Sequence, residues 1–267
     1  MAGPRRRRMR AVPRHAAIEL IALDGIPEVT PGDDLASLIA AALERGGIGL
    51  RDEDVLVVTQ KVVSKAEGRV VALASVQPSA EALEFATRWG KDPRQVELVL
   101  RESVEVVRME SGLIIARTRH GFVCANAGVD LSNVGGGEVA TLLPDDPDAS
   151  AGALREALGE RSGARPAIVI SDSFGRPWRN GIVNVAIGTA GIQALADLRG
   201  RPDAQGREMR STVIALADEL ASAADLAGGK VAQRPVVLVR GYAYTPSGTD
   251  DRGAQALVMP REQDLFP

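Results

Sequence analysis

The stretch PAIVISDSFGRPWRNGIVNVAIG, residues 166–188, sets two apolar runs on either side of a polar segment, SDSFGRPWRNG at 171–181. PAIVI reads as a buried strand and the polar segment as a loop that follows it. Strand packing has no need of Asp172, and Ser173 puts a second oxygen beside it. An exposed turn whose arginines pair with surface acids accounts for the charges. It does not account for Phe174 and Trp178, in a chain whose aromatic content is 3%. The favoured reading is a loop that holds metal and phosphate. A magnesium or manganese ion takes one or two protein carboxylates and completes its shell with phosphate and water. Arg176 and Arg179 are suited to bidentate contacts with phosphate or carboxylate.

Around this stretch the pattern is mixed α/β. Apolar strands are expected at IELIAL (18–23), VLVVT (55–59) and PVVLVRG (235–241). Helices are expected over LASLIAAALERG (35–46), capped by Asp33 or Asp34, from about Ala80 to Trp89, around PRQVELVLRES (93–103), over 149–161 and over VIALADELASAADLA (213–227). Three short β-rich runs, VEVVRM, GLIIARTR and GFVCA, predict a meander. Residues 126–148 read as one long polar loop. Too many strands are neighbours in sequence for a simple alternating parallel fold.

The 267 residues are 45% hydrophobic and 25% charged, ordinary for a soluble globular protein of one large or two small domains. Scarce aromatics argue against a base-stacking nucleic-acid surface. The single cysteine, Cys124, excludes an internal disulfide and a multi-cysteine zinc site, and fits a reducing cytoplasm. Only His15 and His120 supply imidazole, so a metal would be held mainly by oxygen, which favours magnesium or manganese over zinc. The first fifteen residues carry six arginines and no acid; taking those six charges from the net −3 leaves −9 for the body. This basic arm, 1–17, has no signal-peptide core and reads as a disordered tail or as the product of an over-extended start codon. A nucleic-acid role would rest on the arm alone. No apolar run is long enough to predict a membrane span.

Three polar loops begin where apolar strands stop, common places for ligand groups on a rigid scaffold. After VLVVT come Gln60, Lys61, Ser64 and Lys65. Spacing alone favours two solvated lysines near a turn; the alternative sets a lysine at a strand end against a phosphate. Asn126, Asp130, Ser132 and Asn133 surround Gly128 and precede Gly135, Gly136 and Gly137. An Asx-rich turn and a ligand loop whose glycines admit close backbone approach compete evenly there. The P-loop and G-x-G-x-x-G patterns are absent. With one histidine outside the arm, no Ser-His-Asp or Cys-His pair can be argued, and His120 reads as structural or exposed.

The segments LDGIPEVTPGDDLASLI, DVLVVTQKVVSKAEGRVV, CANAGVDLSNV, SDSFGRPWRNGIVNVAIGTAGI, DLRGRPDAQGRE, ADELASAADLAGGK and RPVVLVRG occur in that order. As an ordered set across residues 18–267 they resemble the coenzyme F420-0:L-glutamate ligases, the γ-glutamyl ligases of deazaflavin biosynthesis. The resemblance implies a chain of two subdomains with mixed and antiparallel sheets, in an intertwined homodimer, with nucleotide between domains. It implies a GTP-dependent cytoplasmic enzyme, needing magnesium or manganese and helped by potassium, that adds L-glutamate to F420-0 and then further glutamates through γ-linkages. By the same resemblance Leu23, Asp24, Gly25, Ile26, Pro27, Gln60, Lys65 and Asn133 would contact the nucleotide, and Asp130, Asp172 and Ser173 the divalent ions. Ser173 stands where threonine is expected. The segment SGTDDRGA (247–254) falls where further contacts are expected, adding Gly248 and Asp250 for nucleotide and Asp251 for metal. The C-terminal nitroreductase-like domain that some relatives carry is not expected here.

Joining an amine to a free carboxylate in water requires an activated acid. The expected route is an acyl phosphate made at the γ-phosphate of GTP and displaced by the glutamate amine, with catalysis by positioning and charge neutralisation. Lys65 would offset phosphate charge, and chemistry assigns Arg176 or Arg179 to the acidic substrate's phosphodiester or carboxylate. Two alternatives stay open. One is a non-catalytic nucleotide- or metal-binding regulator on the same scaffold; the other is a ligase for a different acid or amine.

Overall fold

The computed structural model describes residues 17–134, 137–248 and 251–265, so the basic arm up to Ala16 lies outside the described residues. The order along the chain is β1 (Glu19–Ala22), α1 (Leu35–Arg45), β2 (Val55–Thr59), α2 (Gln60–Ala66), β3 (Val70–Ala72), α3 (Ala80–Trp89), α4 (Pro93–Glu102), β4 (Ser103–Glu110), β5 (Leu113–Thr118), β6 (Val123–Ala125), β7 (Asp130–Val134) and β8 (Gly137–Thr141). Then follow α5 (Pro147–Ser162), β9 (Ala167–Arg176), β10 (Arg179–Ala190), β11 (Ala196–Asp197), β12 (Val213–Ile214), α6 (Leu216–Gly228) and β13 (Val236–Arg240). The mixed α/β class is as expected. No helix among the described residues is long and apolar enough to cross a membrane.

The central sheet has the order β1-β13-β2-β9-β10 and is antiparallel except at β2–β9, where Val55 to Thr59 run beside Ala167 to Ser171. Its inner strands are unbroken apolar runs because helices cover both faces. Successive residues point to opposite sides. Leu56, Val58, Ile168 and Ile170 pack with residues of α1 and α5, while Val55, Val57, Val169 and Val237 pack against α6. Asp34 caps α1, its Oδ1 accepting from the Ser37 N–H at 3.0 Å, and Pro147 opens α5 in its first turn. Buried Asp54 is gripped from the far end of β13: Arg240 Nε donates to its Oδ1 at 2.8 Å and Nη2 to its Oδ2 at 2.6 Å.

A second core, with Leu73, Phe85, Val96, Ile114 and Leu142, lies between residues 70 and 142. Two three-stranded sheets, β4-β5-β6 and β3-β8-β7, build it with α3 and α4. The first of these is the expected meander.

Three segments are not the loops expected. Residues 171–181 continue β9, turn at Pro177 and Trp178, and enter β10, with Ser173 opposite Asn184 and Asp172 opposite Val185. The strand outruns β2, whose last pair is Thr59 with Ser171, so its ladder with β10 persists where the two-sided apolar cover has ended. Within 126–148 lies the hairpin β7–β8, paired from Asp130 with Thr141 to Val134 with Gly137. Gln60 to Ala66 form the short helix α2. At the other end, α6 starts at Leu216, because Val213 and Ile214 pair as β12 with β11.

Candidate functional site

The parallel strands β2 and β9 end together at Thr59 and Ser171, and a cavity of about 660 Å³ opens there. The space beyond the carboxyl ends of parallel strands is where α/β sheets gather their ligands. Its walls come from the β1–α1 connection, α2, the start of β7, the polar end of β9 and the segment from the end of α6 into β13.

Each wall delivers charge in a particular way. The buried side of α2 is Gln60, Val63, Ser64 and Lys65, and Ser64 Oγ donates to Gln60 Oε1 at 2.8 Å one turn away. Lys65 is only 8% exposed and pairs with Glu28. Lys61, one turn earlier, pairs with Asp130. The simpler reading, two solvated lysines, therefore fails for Lys65. At the opposite wall α6 stops at Gly229, whose φ of +68° suits glycine. The next residue, Lys230, donates from Nζ to Ser173 Oγ at 2.9 Å. Ser173 Oγ in turn donates to Asn184 Oδ1 at 2.8 Å, and Ser222 on α6 donates to the Asn184 carbonyl at 2.7 Å.

Burial pushes the Asp172 carboxyl up to about 6, and the negative charge of Asp130 adds to the rise. The Ser173 N–H, which donates to Asp172 Oδ1 at 2.8 Å, opposes it, as do Lys230 and Lys61. Two carboxylates that repel one another beside a hydroxyl fit a hard divalent ion, which relieves the repulsion and leaves positions for phosphate and water. Among the described residues no three or more His, Cys, Asp or Glu converge on one point. An ion here would therefore draw part of its shell from ligand oxygens. Ser171 Oγ, buried in the cavity wall, has no hydrogen-bond partner among the described residues.

The F420-0:Gamma-glutamyl ligase family model matches residues 25–241. The chain belongs to this family. Similar curated proteins carry the name coenzyme F420:L-glutamate ligase. That of Methanothermobacter thermautotrophicus is 47% identical over 93% of this chain and 98% of its own length. That of Methanopyrus kandleri is 46% identical over 90% and 93%, and that of Methanocaldococcus jannaschii 43% over 81% and 86%.

Of the residues that resemblance to this ligase family points to, Ile26, Pro27, Gln60, Lys65, Asp130, Asp172 and Ser173 line the cavity. Leu23 does not; its side chain is buried in the core with α1. Asp24 touches the site through Arg234, whose Nε donates to Asp24 Oδ1 at 2.7 Å, and the Gly25 carbonyl accepts from Arg45 Nη2 at 2.7 Å. Asn133 stands opposite Glu138 in the β7–β8 ladder, with its side chain outside the described residues, as is all of Asp250. Gly248 and Asp251 are not among the cavity residues; Asp251 Oδ1 accepts from the Gly253 N–H at 3.1 Å. Arg176 and Arg179 flank the β9–β10 turn and line no part of the cavity, Arg176 Nη2 donating to the Asn180 carbonyl at 3.3 Å.

The two aromatics of the opening stretch part company. Phe174 packs edge-on against Phe122 with ring centres 6.2 Å apart, and Trp178 is exposed at the turn. His120 is structural, its Nε2 2.9 Å from the Pro144 carbonyl and its ring stacked on Phe122. Sequence reasoning does not single out Glu28, Asn184, Lys230 or Arg234, all at this site. Gly-Gly-Lys after a helix was the available signal for Lys230. Nothing local marks Glu28, because its partner is 37 residues away.

Proposed function

We propose that this chain is a ligase that joins L-glutamate to coenzyme F420-0 and extends the product through γ-linkages. It uses GTP with magnesium or manganese, aided by potassium, and works as a homodimer in the cytoplasm. The observation that supports this reading is a convergence within a chain of this family: Asp130, Asp172, Lys61, Lys65 and Lys230 all line one cavity beyond the paired strand ends. The relatives named above are called coenzyme F420:L-glutamate ligases.

The cavity volume lies within the range of about 300–1,000 Å³ usual for small-molecule sites. The lysines hold the triphosphate of GTP, exchanging Glu28, Asp130 and Ser173 for phosphate oxygens. A carboxylate oxygen of F420-0 attacks the γ-phosphorus, the bond from that phosphorus to its bridging oxygen breaks, and GDP leaves with the electron pair. The glutamate amine then attacks the acyl carbon, phosphate departs, and the nitrogen loses a proton to leave an amide. A divalent ion bound by Asp130, Asp172 and Ser173 would supply neutralisation of the triphosphate charge. Lys65, already fixed by burial, needs little reorganisation to act.

Mass spectrometry of a reaction containing F420-0, L-glutamate, GTP and manganese tests this. Products should be heavier by whole glutamyl residues, with GDP and phosphate released in equal amounts. Intact GTP would favour the regulator alternative, and turnover only with another acid or amine would favour a different ligase; either result removes the proposal.

A further inference from the structure

A second cavity, of about 210 Å³, lies beside the first. Four residues line both: Asp130, Asp172, Ser173 and Lys230. The charged groups of the site therefore form a shared wall with a space on each side. Beyond that wall the smaller space is lined by Cys124 and Ala125 at the end of β6, by Gly128 and Val129 before β7, and by Phe174. Its surface is almost wholly polar. It is smaller than the sites that take nucleotide-sized ligands and has room for about seven waters, a space suited to one amino acid. Gly128 keeps its floor tight: a Cβ there would come within 2.6 Å of Leu143 Cγ, and its φ is +72°.

We propose that this smaller cavity is the amino-acid subsite, binding L-glutamate with a carboxylate on Lys230 and its amine toward the larger cavity. The inference rests on the ligase reading above. In that reaction the amine must reach the acyl carbon from a side that the nucleotide does not fill. A polar space sharing its wall with the larger cavity gives that approach. The Lys230 ammonium borders both spaces, 2.9 Å from Ser173 Oγ, so one cation can serve phosphate on one side and carboxylate on the other.

Ala125 tests this, because it is exposed at the end of an edge strand and lines the smaller cavity but not the larger. Ala125→Leu should raise the KM for L-glutamate by about tenfold, Ala125→Val by less, with the KM for GTP and the thermal midpoint unchanged. An unchanged KM for glutamate in both variants overturns the subsite. Calorimetric titration of L-glutamate into GDP-loaded protein reads the cavity without turnover. Binding by the wild type that is weakened in Ala125→Leu supports the assignment; equal binding, or none by the wild type, overturns it. GTP consumption by the wild type with F420-0 and glutamate reports separately on the ligase reading.

Discussion

Replacing Asp172 by asparagine should make the metal-free protein more stable while abolishing its turnover. Burial, reinforced by Asp130, lifts the Asp172 carboxyl from 3.8 to about 6. At neutral pH the folded chain thus holds a charge less readily than the unfolded chain does. The difference corresponds to about 3 kcal/mol. Because the folded state binds this proton more tightly, the wild type is free of the penalty below about pH 4, acquires it as pH rises toward 6 and carries it whole above that. Asparagine removes the charge yet keeps an oxygen for the Ser173 N–H. The stability gap should therefore open from near zero at about pH 4 to about 3 kcal/mol above pH 7, or roughly 6–12 °C in midpoint. Thermal unfolding in chelator across that pH range measures it, with glutamate ligation followed in parallel and expected to fall by orders of magnitude. Manganese with GDP should then stabilise the wild type more than the variant and narrow the gap. A variant no more stable than the wild type above pH 7, or a gap independent of pH, would refute the reasoning.

Lys65→Met keeps most of the buried stem but removes the ammonium, and should lower ligation by about a hundredfold or more in steady-state assays, with a small change in midpoint. Arg240→Leu leaves buried Asp54 without its bidentate partner and should cost about 3–5 kcal/mol in denaturant unfolding; adding Asp54→Asn should recover part of the loss. Burial, with Asp172 adding, pushes the Cys124 thiol up to about 12. Native protein should accordingly resist a thiol reagent at neutral pH and react in denaturant. Rapid native labelling would contradict the burial of Cys124.

The inner strands β2, β9 as far as Ile170 and β13 are legible in the sequence because helices on both faces leave no place for a polar residue. Where that cover ends, the signal ends too, although the strand does not. Asp172 and Ser173 look like a loop, but their ladder with β10 goes on. Seven residues of α2 are too few for a helical period to stand out from VLVVTQKVVSKA. At the site, the acids and Lys65 are reachable through ordered motifs, whereas the pairs Lys61–Asp130 and Lys65–Glu28 join distant segments that no local spacing reveals. Arg176 and Arg179 have the chemistry of ligand groups, yet the extended hairpin carries them past the cavity to its turn.

Thr59 and Ser171 are adjacent in the parallel pair although the entire second core is threaded between them in the chain. Joining such remote partners is entropically slow and comes late in folding. A nascent chain released only as far as α5 already carries Lys61, Lys65 and Asp130, but β9 has yet to arrive with Asp172. The charged cavity is thus completed only near the end of synthesis, once β9 has brought Asp172 and the end of α6 has brought Lys230.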